Sequence, residues 1–159
     1  MTMQPPAWVE AYVGIPFTDL GRTRQGCDCW GLVRLILAEQ RGLVLPCYAT
    51  SYRTETNWQG VAREIGTAQA GGDWHRIDES EVRAFDVVSL LMPLRIPGSG
   101  PGTRSGWRYE PVHVGLVVAR GLLIHVEVAA AAVIARYAED QAMRRRVHSF
   151  WRHESLADA

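Results

Sequence analysis

The sequence predicts a single α+β domain over residues 1–159, in which helices come first and an antiparallel sheet follows. One stretch near residue 30 repeats apolar residues at helical spacing, and three apolar, strand-like runs occupy the second half of the chain. The 159 residues are 47% hydrophobic and 21% charged, a balance typical of a globular domain that buries its own core.

The composition and the start of the chain exclude several classes of function. Acidic and basic residues number 17 each, so no positive field is available to hold nucleic acid or an anionic membrane. The first ten residues lack the basic and apolar segments of a signal peptide, and no window approaches about 18 consecutive apolar residues. We therefore expect synthesis in the cytoplasm, no membrane insertion and no nucleic-acid partner.

Helices are predicted in the first half of the chain. Residues 8–13 form a short amphipathic stretch, and the clearest helix spans Cys29–Arg41, where apolar residues recur at helical spacing. Asp28 can cap its first turn and Gly42 can end its last. A further helix is plausible over residues 58–65.

Strands are predicted in the second half, where valine, leucine and isoleucine are enriched between glycine and proline residues. The predicted strands cover residues 86–92, 112–119 and 122–128. A helix over residues 137–145 and a last strand over residues 147–151 complete the domain. This order of elements is typical of the α+β class.

A long loop is predicted over residues 93–111, which contain four prolines, four glycines and no apolar periodicity. It is longer than a plain connector in a compact domain. Two aromatic residues lie among three arginines there, namely Trp107 and Tyr109 with Arg95, Arg104 and Arg108. This composition favours a contact surface for a substrate or a partner protein, and a solvated loop without function remains the alternative.

The candidate nucleophile is Cys29, one of three cysteines (Cys27, Cys29 and Cys47) that cannot all form disulfides with one another. Cys29 begins the predicted helix, where unpaired amide groups and the helix dipole favour a thiolate. A nucleophilic cysteine also needs a base within hydrogen-bond reach and a group that orients the base.

The candidate base and orienting group come from two neighbouring strands. Side-chain alternation places His113 on one face of its strand, and His125 and Glu127 on one face of the next. If the strands form a hairpin through residues 120–121, the two imidazoles lie side by side, so that His113 can accept the thiol proton while His125 fixes its tautomer. Glu127 could orient the base instead, and the other histidines are predicted at the surface: His75, His148 and His153.

A zinc site is an alternative use of these residues, with Cys27, Cys29, His113 and His125 as the ligands. The Cys-x-Cys spacing is atypical of zinc pairs, which usually have two to four intervening residues. We therefore expect neither a metal nor another cofactor.

Four separated segments resemble one known family. They are YVGIPFTDLGRTRQGCDCWGLVRLILAEQRGLVLP, RAFDVVSLL, PVHVGLVV and LLIHVEV. Together they resemble the NlpC family of papain-like cell-wall cysteine peptidases, in the version carried by phage tails and gene transfer agents. The resemblance implies a papain-like fold with the nucleophile helix packed on a central antiparallel sheet. It also implies that Cys29 is the nucleophile, His113 the base and His125 the orienting residue.

The resemblance also implies a substrate, the stem peptide of peptidoglycan, commonly cut after D-glutamate. Candidate substrate-binding residues are Asp28, Trp30, Phe17, Tyr12 and Trp107. Asp28 is better suited to cap the helix, since its side chain can accept from first-turn amides.

Three positions depart from the family's pattern. Trp30 stands where serine is usual, Phe17 where tyrosine is common, and Phe85 where a glycine precedes the aspartate of the second motif. Trp30 and Phe17 match positions that line or flank the family's substrate cleft. Phe85 is expected to affect only a turn.

The expected function is a peptidoglycan hydrolase on a phage-like tail tip or baseplate, with tail hub or baseplate proteins as partners. The first alternative is a structural tail component with a peptidase-like fold, docked through residues 93–111 and the Arg144–Arg146 cluster. A second alternative is acyl transfer or amide hydrolysis on a substrate outside the wall, because thiol chemistry does not depend on what lies beyond the carbonyl.

Overall fold

The computed structural model describes residues 3–48, 66–98 and 100–158. Its strands and longer helices are β1 (Arg22–Thr23), β2 (Gly26–Cys27), α1 (Cys29–Arg41), β3 (Trp74–Ile77), β4 (Val87–Ile96), β5 (Gly106–Ala119), β6 (Leu122–His125), β7 (Val133–Ala135), α2 (Gln141–Arg146) and β8 (Val147–His153). Short 3-10 helices lie at Ala7–Ala11, Glu79–Glu81 and Glu154–Leu156. The predicted α+β class is confirmed.

One six-stranded antiparallel sheet forms the centre of the fold. Its strand order is β3-β8-β4-β5-β6-β7, and β1 and β2 form a separate small ladder. The predicted hairpin between β5 and β6 is present, with Leu116 opposite Ile124 and Val117 opposite Leu123. β5 therefore lies between β4 and β6, inside the sheet.

Helix α1 has the predicted bounds for the predicted reasons. The carboxylate of Asp28 accepts from the Gly31 amide at 2.7 Å, which caps the first turn. At the other end, Gly42 adopts the left-handed conformation at φ 65° and donates to the Ala38 carbonyl at 3.0 Å. The buried face of the helix consists of Cys29, Gly31, Leu32, Val33, Ile36 and Leu37.

The central strand is covered on both faces. On one face, Val114 and Leu116 pack in the same cluster as the α1 residues. On the other face, Val117 and Leu123 pack with Tyr137 and residues of the C-terminal half. The predicted alternation of these strands is confirmed, and it places His113 and His125 on the same face of the sheet as Val117 and Leu123.

Two predicted helices differ from the structure or lie beyond it. The helix predicted over residues 137–145 is α2, which begins at Gln141 because Asp140 accepts from the amides of Ala142 and Met143 and so caps it. The helix predicted over residues 58–65 lies outside the described residues. No helix in the part of the chain described here is long and apolar enough to cross a membrane.

The loop predicted over residues 93–111 was wrong for most of its length, because β4 and β5 continue into it. The pairing of the two strands extends from Met92 opposite Glu110 to Ile96 opposite Gly106. β8 pairs with β4 only as far as Leu90. Residues 92–96 and 106–110 therefore form a two-stranded extension of the sheet, which we call the arm.

The arm presents exposed aromatic side chains. Trp107 is 70% exposed and Tyr109 is 64% exposed. Trp107 lies opposite Arg95 and Tyr109 lies opposite Pro93, so all four side chains are on the same face of the arm. The contact surface expected from the sequence thus lies on a strand rather than on a loop.

Phe85 occupies a strained backbone position. Its φ is 75°, in the left-handed region that glycine adopts without a steric penalty, and the resemblance to the NlpC family expects glycine here. The ring stacks on Trp8 with centroids 5.1 Å apart, and the Arg41 guanidinium lies 5.1 Å from its centroid. These contacts offset the backbone strain.

Two substitutions at Phe85 separate the strain from the stacking. Both Phe85→Ala and Phe85→Gly remove the ring, but only glycine also removes the Cβ that is strained at positive φ. We expect Phe85→Gly to unfold with a free energy about 1 kcal/mol higher than that of Phe85→Ala, as measured by urea denaturation. Equal stabilities, or a more stable alanine variant, would contradict the claim that a Cβ at position 85 is strained.

Candidate catalytic site

Cys29 lies at the point where α1 meets β5. It is the first residue of the helix, and backbone hydrogen bonds from Trp30 and Val114 reach its thiol group. An open cleft of about 460 Å³ lies beside it. The cleft is lined by Phe17, Cys29, Met92, His113, Val126, Glu127 and Val128. The structure thus brings the predicted nucleophile and the predicted base to one cleft.

The two histidines contact each other as predicted. His113 Nε2 lies 2.9 Å from His125 Nδ1, and both side chains are buried. Because Nε2 is engaged by His125, Nδ1 is the His113 nitrogen left to accept a proton from a thiol. The orienting arrangement that a nucleophilic cysteine needs is therefore present on the base.

Gly115 makes room for this pair. Gly115 is next to the last registered pair of β5 and β6, Leu116 opposite Ile124. A Cβ at Gly115 would lie 3.3 Å from the His125 Cβ and 3.1 Å from the Ile124 carbonyl oxygen. A larger residue would push β6 or the His125 ring away from β5. Glycine at this position allows the two strands to hold the imidazoles in contact.

A carboxylate and a guanidinium border the histidine pair. Glu127 Oε1 lies 3.6 Å from His125 Nδ1 and 3.9 Å from His113 Nε2. Arg146, at the end of α2, brings Nη2 to 2.5 Å from the same oxygen and donates from Nε to the Leu91 carbonyl at 3.2 Å. The sequence singled out Arg146 only as part of a basic cluster, because no local pattern indicates a contact across 19 residues.

Burial controls the charge of the thiol. It raises the pKa of Cys29 to about 12, and the Asp28 carboxylate adds to the increase, while the backbone amides of Val114 and Trp30 oppose it. The expectation that the helix start favours a thiolate is therefore wrong for this resting structure. The helix amides act in the expected direction, but the desolvation of the sulfur outweighs them.

Burial also keeps the imidazoles neutral. The pKa of His113 lies well below its ordinary value because of burial first, then the charges of His125 and Arg146. Burial lowers the pKa of His125 as well, and the nearby Glu127 carboxylate opposes that shift. The resting pair is thus a neutral thiol and a neutral imidazole. No hydrogen bond joins Cys29 to His113 within the described residues, which is common for catalytic contacts before substrate binds.

Two of the expected substrate-binding residues are buried away from the cleft. Tyr12 is fully buried, and its hydroxyl donates to Glu39 at 2.7 Å and accepts from Gln40 at 2.9 Å. Asp28 is also fully buried, where it caps α1 and pairs with Arg22 at 2.7 Å. Asp28 therefore holds the start of α1, and Tyr12 contacts its C-terminal end. Neither residue lines the cleft, contrary to the expectation that they bind substrate.

The other three expected substrate-binding residues, Phe17, Trp30 and Trp107, lie in different parts of the structure. Phe17 lines the cleft as expected. Trp30 packs against Val112 and donates its indole N–H to the Pro46 carbonyl at 2.9 Å, outside the described lining. Trp107 lies on the arm, so only Phe17 of the five expected substrate-binding residues lines this cleft.

The remaining predicted residues have clear positions. The zinc set weighed from the sequence is not assembled, because the Cys27 thiol donates to the Thr23 carbonyl at 3.0 Å and belongs to no cluster of potential metal ligands in the described ranges. His75 and His148 are exposed, as predicted. His153 is half-buried against Trp74, with ring centroids 5.0 Å apart.

Comparison with known proteins identifies the fold. No protein-family model and no curated protein matches the chain. The NlpC/p60 domain of the peptidoglycan hydrolase SagA matches with a TM-score of 0.54 and 16% identity, over 91% of this chain and 92% of that one. A protein similar to a lipoprotein of the NLP/P60 family, SAV0400 of Staphylococcus aureus subsp. aureus Mu50, matches with a TM-score of 0.53 and 16% identity, over 91% of this chain and 38% of that one. The chain therefore has the papain-like fold of NlpC/p60 domains.

The buried, protonated thiol predicts a distinctive pH dependence of alkylation. Because only the thiolate reacts, the iodoacetamide rate at Cys29 should rise about tenfold per pH unit from pH 7 to pH 10 without a plateau. Trypsin leaves Cys27 and Cys29 on one peptide, residues 25–34, so fragment-ion mass spectrometry is used to assign the label to Cys29. The exposed Cys47 in the same sample confirms that the reagent is active. A plateau at Cys29 below pH 8 would contradict the raised pKa.

Proposed function

We propose that this protein is a peptidoglycan hydrolase that works as a cysteine endopeptidase. One observation carries the proposal: Cys29 and His113 line one cleft, and His125 holds the far nitrogen of His113 at 2.9 Å. The likeness of the fold to the NlpC/p60 domain of a peptidoglycan hydrolase supports the same conclusion. In this proposal Cys29 is the nucleophile, His113 the base and His125 the positioning residue.

The reaction begins from the neutral pair. His113 Nδ1 takes the thiol proton as the Cys29 sulfur attacks the carbonyl carbon of a peptide bond, which gives a tetrahedral oxyanion. The backbone N–H of Cys29 at the start of α1 is the proposed donor to that oxyanion. His113 then protonates the leaving amine, an acyl-enzyme forms, and water activated by His113 releases the acid.

The resting charge state suits this sequence of steps. A base that is held neutral accepts a proton across a wide pH range, since its lowered pKa moves its protonation to more acidic solution. The thiol ionises only as it reacts, so its burial protects it from unrelated oxidants and electrophiles. Substrate that fills the cleft brings the carbonyl to the sulfur.

The finer assignment rests on the sequence resemblance. We propose that the substrate is the stem peptide, cut after D-glutamate, and that a phage-like tail tip or baseplate carries the enzyme to the wall. Tail hub or baseplate proteins are then its partners. A chain made in the cytoplasm would reach the wall as part of the particle.

Substitution of the nucleophile tests the chemistry. Purified muropeptides are incubated with the wild type, with Cys29→Ser and with the control Cys47→Ser, which changes an exposed thiol. We expect the wild type and the control to release a fragment that ends in D-glutamate, and Cys29→Ser to be slower by roughly a thousandfold or more. Mass spectrometry of the products identifies the bond.

Each contrary result has a definite meaning. Full activity of Cys29→Ser would overturn the assignment of the nucleophile. Cleavage at another bond would overturn the D-glutamate specificity alone. An inactive wild type that is correctly folded would overturn the proposal that the protein is a hydrolase.

A structural tail component is the second candidate function, and the exposed face of the arm favours it. Trp107 and Tyr109 stand out from the sheet beside Arg95, which is a composition typical of the central contacts of protein interfaces. In that case the fold would serve for assembly, and the cleft would have little or no turnover.

Removal of the arm's aromatic side chains tests carriage on a particle. We expect Trp107→Ala/Tyr109→Ala to be absent from purified tail particles of the producing strain, while Val44→Ala is incorporated normally, because Val44 is an exposed apolar residue outside the arm. Quantitative mass spectrometry of the particles gives the occupancy. Equal incorporation of both variants would contradict docking through the arm.

A further inference from the structure

The donor atoms of His113, His125 and Glu127 form a compact triangle. The distance between His113 Nε2 and His125 Nδ1 is 2.9 Å, and Glu127 Oε1 lies 3.9 Å and 3.6 Å from them. The nearest point that is equidistant from the three atoms lies in their plane, about 2.0 Å from each. Zinc binds imidazole nitrogen at about 2.0–2.1 Å and carboxylate oxygen at about 2.0–2.2 Å. The triangle therefore has the size of one face of a zinc site.

We propose that His113, His125 and Glu127 bind a divalent transition-metal ion of borderline softness, with Zn²⁺ as the natural candidate. Two imidazoles and a carboxylate are a donor set that zinc uses in sites with an open fourth position. Glu127 Oε1 is buried and has no partner with hydrogen-bond geometry among the described residues, and its charge is balanced by an ion pair with Arg146. These three ligands differ from the cysteine-containing set weighed from the sequence.

Arg146 opposes the ion. Its Nη2 lies 2.5 Å from Glu127 Oε1, so a bound cation has to displace it from that oxygen. The Arg146 side chain is 24% exposed, and its displacement would also break its contact with Met92 Sδ at 2.8 Å. The guanidinium therefore weakens metal binding, and its removal should strengthen it.

The ion inhibits the protein rather than activating it. A metal at His113 Nε2 moves the ring proton to Nδ1, with no net gain or loss of protons by the histidine pair. Nδ1 is then unable to accept the proton of the Cys29 thiol. This consequence rests on the proposed function, whereas the binding itself rests on the geometry alone.

Calorimetric titration of Zn²⁺ into the metal-free chain, without substrate, tests the site. We expect Glu127→Gln to raise the dissociation constant about tenfold or more, because it removes a charged ligand. Arg146→Met should lower it roughly tenfold, because it removes a neighbouring positive charge. The control Cys29→Ser/Cys47→Ser should bind as the wild type does. Circular dichroism checks that every variant is folded.

Co²⁺ gives a second readout that distinguishes the ligands. We expect weak visible bands of nitrogen and oxygen coordination, and an intense near-ultraviolet thiolate band would overturn the site. Wild-type affinity in Glu127→Gln, or no tightening in Arg146→Met, would overturn it as well. Muropeptide cleavage is measured separately on the same samples. Binding of Zn²⁺ without inhibition overturns only the inhibitory role. Failure to bind Zn²⁺ overturns the metal site and leaves the proposed hydrolase function unaffected.

Discussion

The register between β5 and β6 is the constraint on which the site depends. With Leu116 opposite Ile124, alternation places His113 and His125 on the same face of the sheet. A shift of β6 by one residue would turn His125 to the opposite face of the sheet and bring an aliphatic side chain beside His113. Because apolar clusters cover both faces, that shift would bury the His125 imidazole among aliphatic side chains without its partner. The burial that builds the core therefore aligns the two imidazoles.

Short-range patterns predicted the features that depend on neighbouring residues. A capping Asp28 and a left-handed Gly42 define α1, and alternation along two strands predicts the histidine pair. The arm was missed because its prolines and glycines are typical of a loop. In a two-stranded ladder, however, half of the backbone N–H groups face solvent, and a residue such as Pro93 is tolerated there. That tolerance depends on how many strands flank the pair, which local composition does not indicate.

The electrostatics of the site depend on distances that no sequence pattern contains. The helix start was expected to favour a thiolate, but the depth of Cys29 beneath its neighbours decides the balance. Arg146 reaches Glu127 from the helix between β7 and β8, so its charge enters the site only through tertiary packing. Tyr12 was assigned to the cleft from the resemblance, whereas its contacts with Glu39 and Gln40 bury it behind α1.

The arm and the candidate base belong to one continuous strand. His113 lies six positions after Trp107 along β5, which is a distance of about 20 Å in an extended chain. A molecule bound at Trp107 would lie at a fixed distance from the cleft, because one continuous strand joins the two sites instead of a flexible linker. Only a substrate within that short distance of the bound molecule would then reach the Cys29 sulfur.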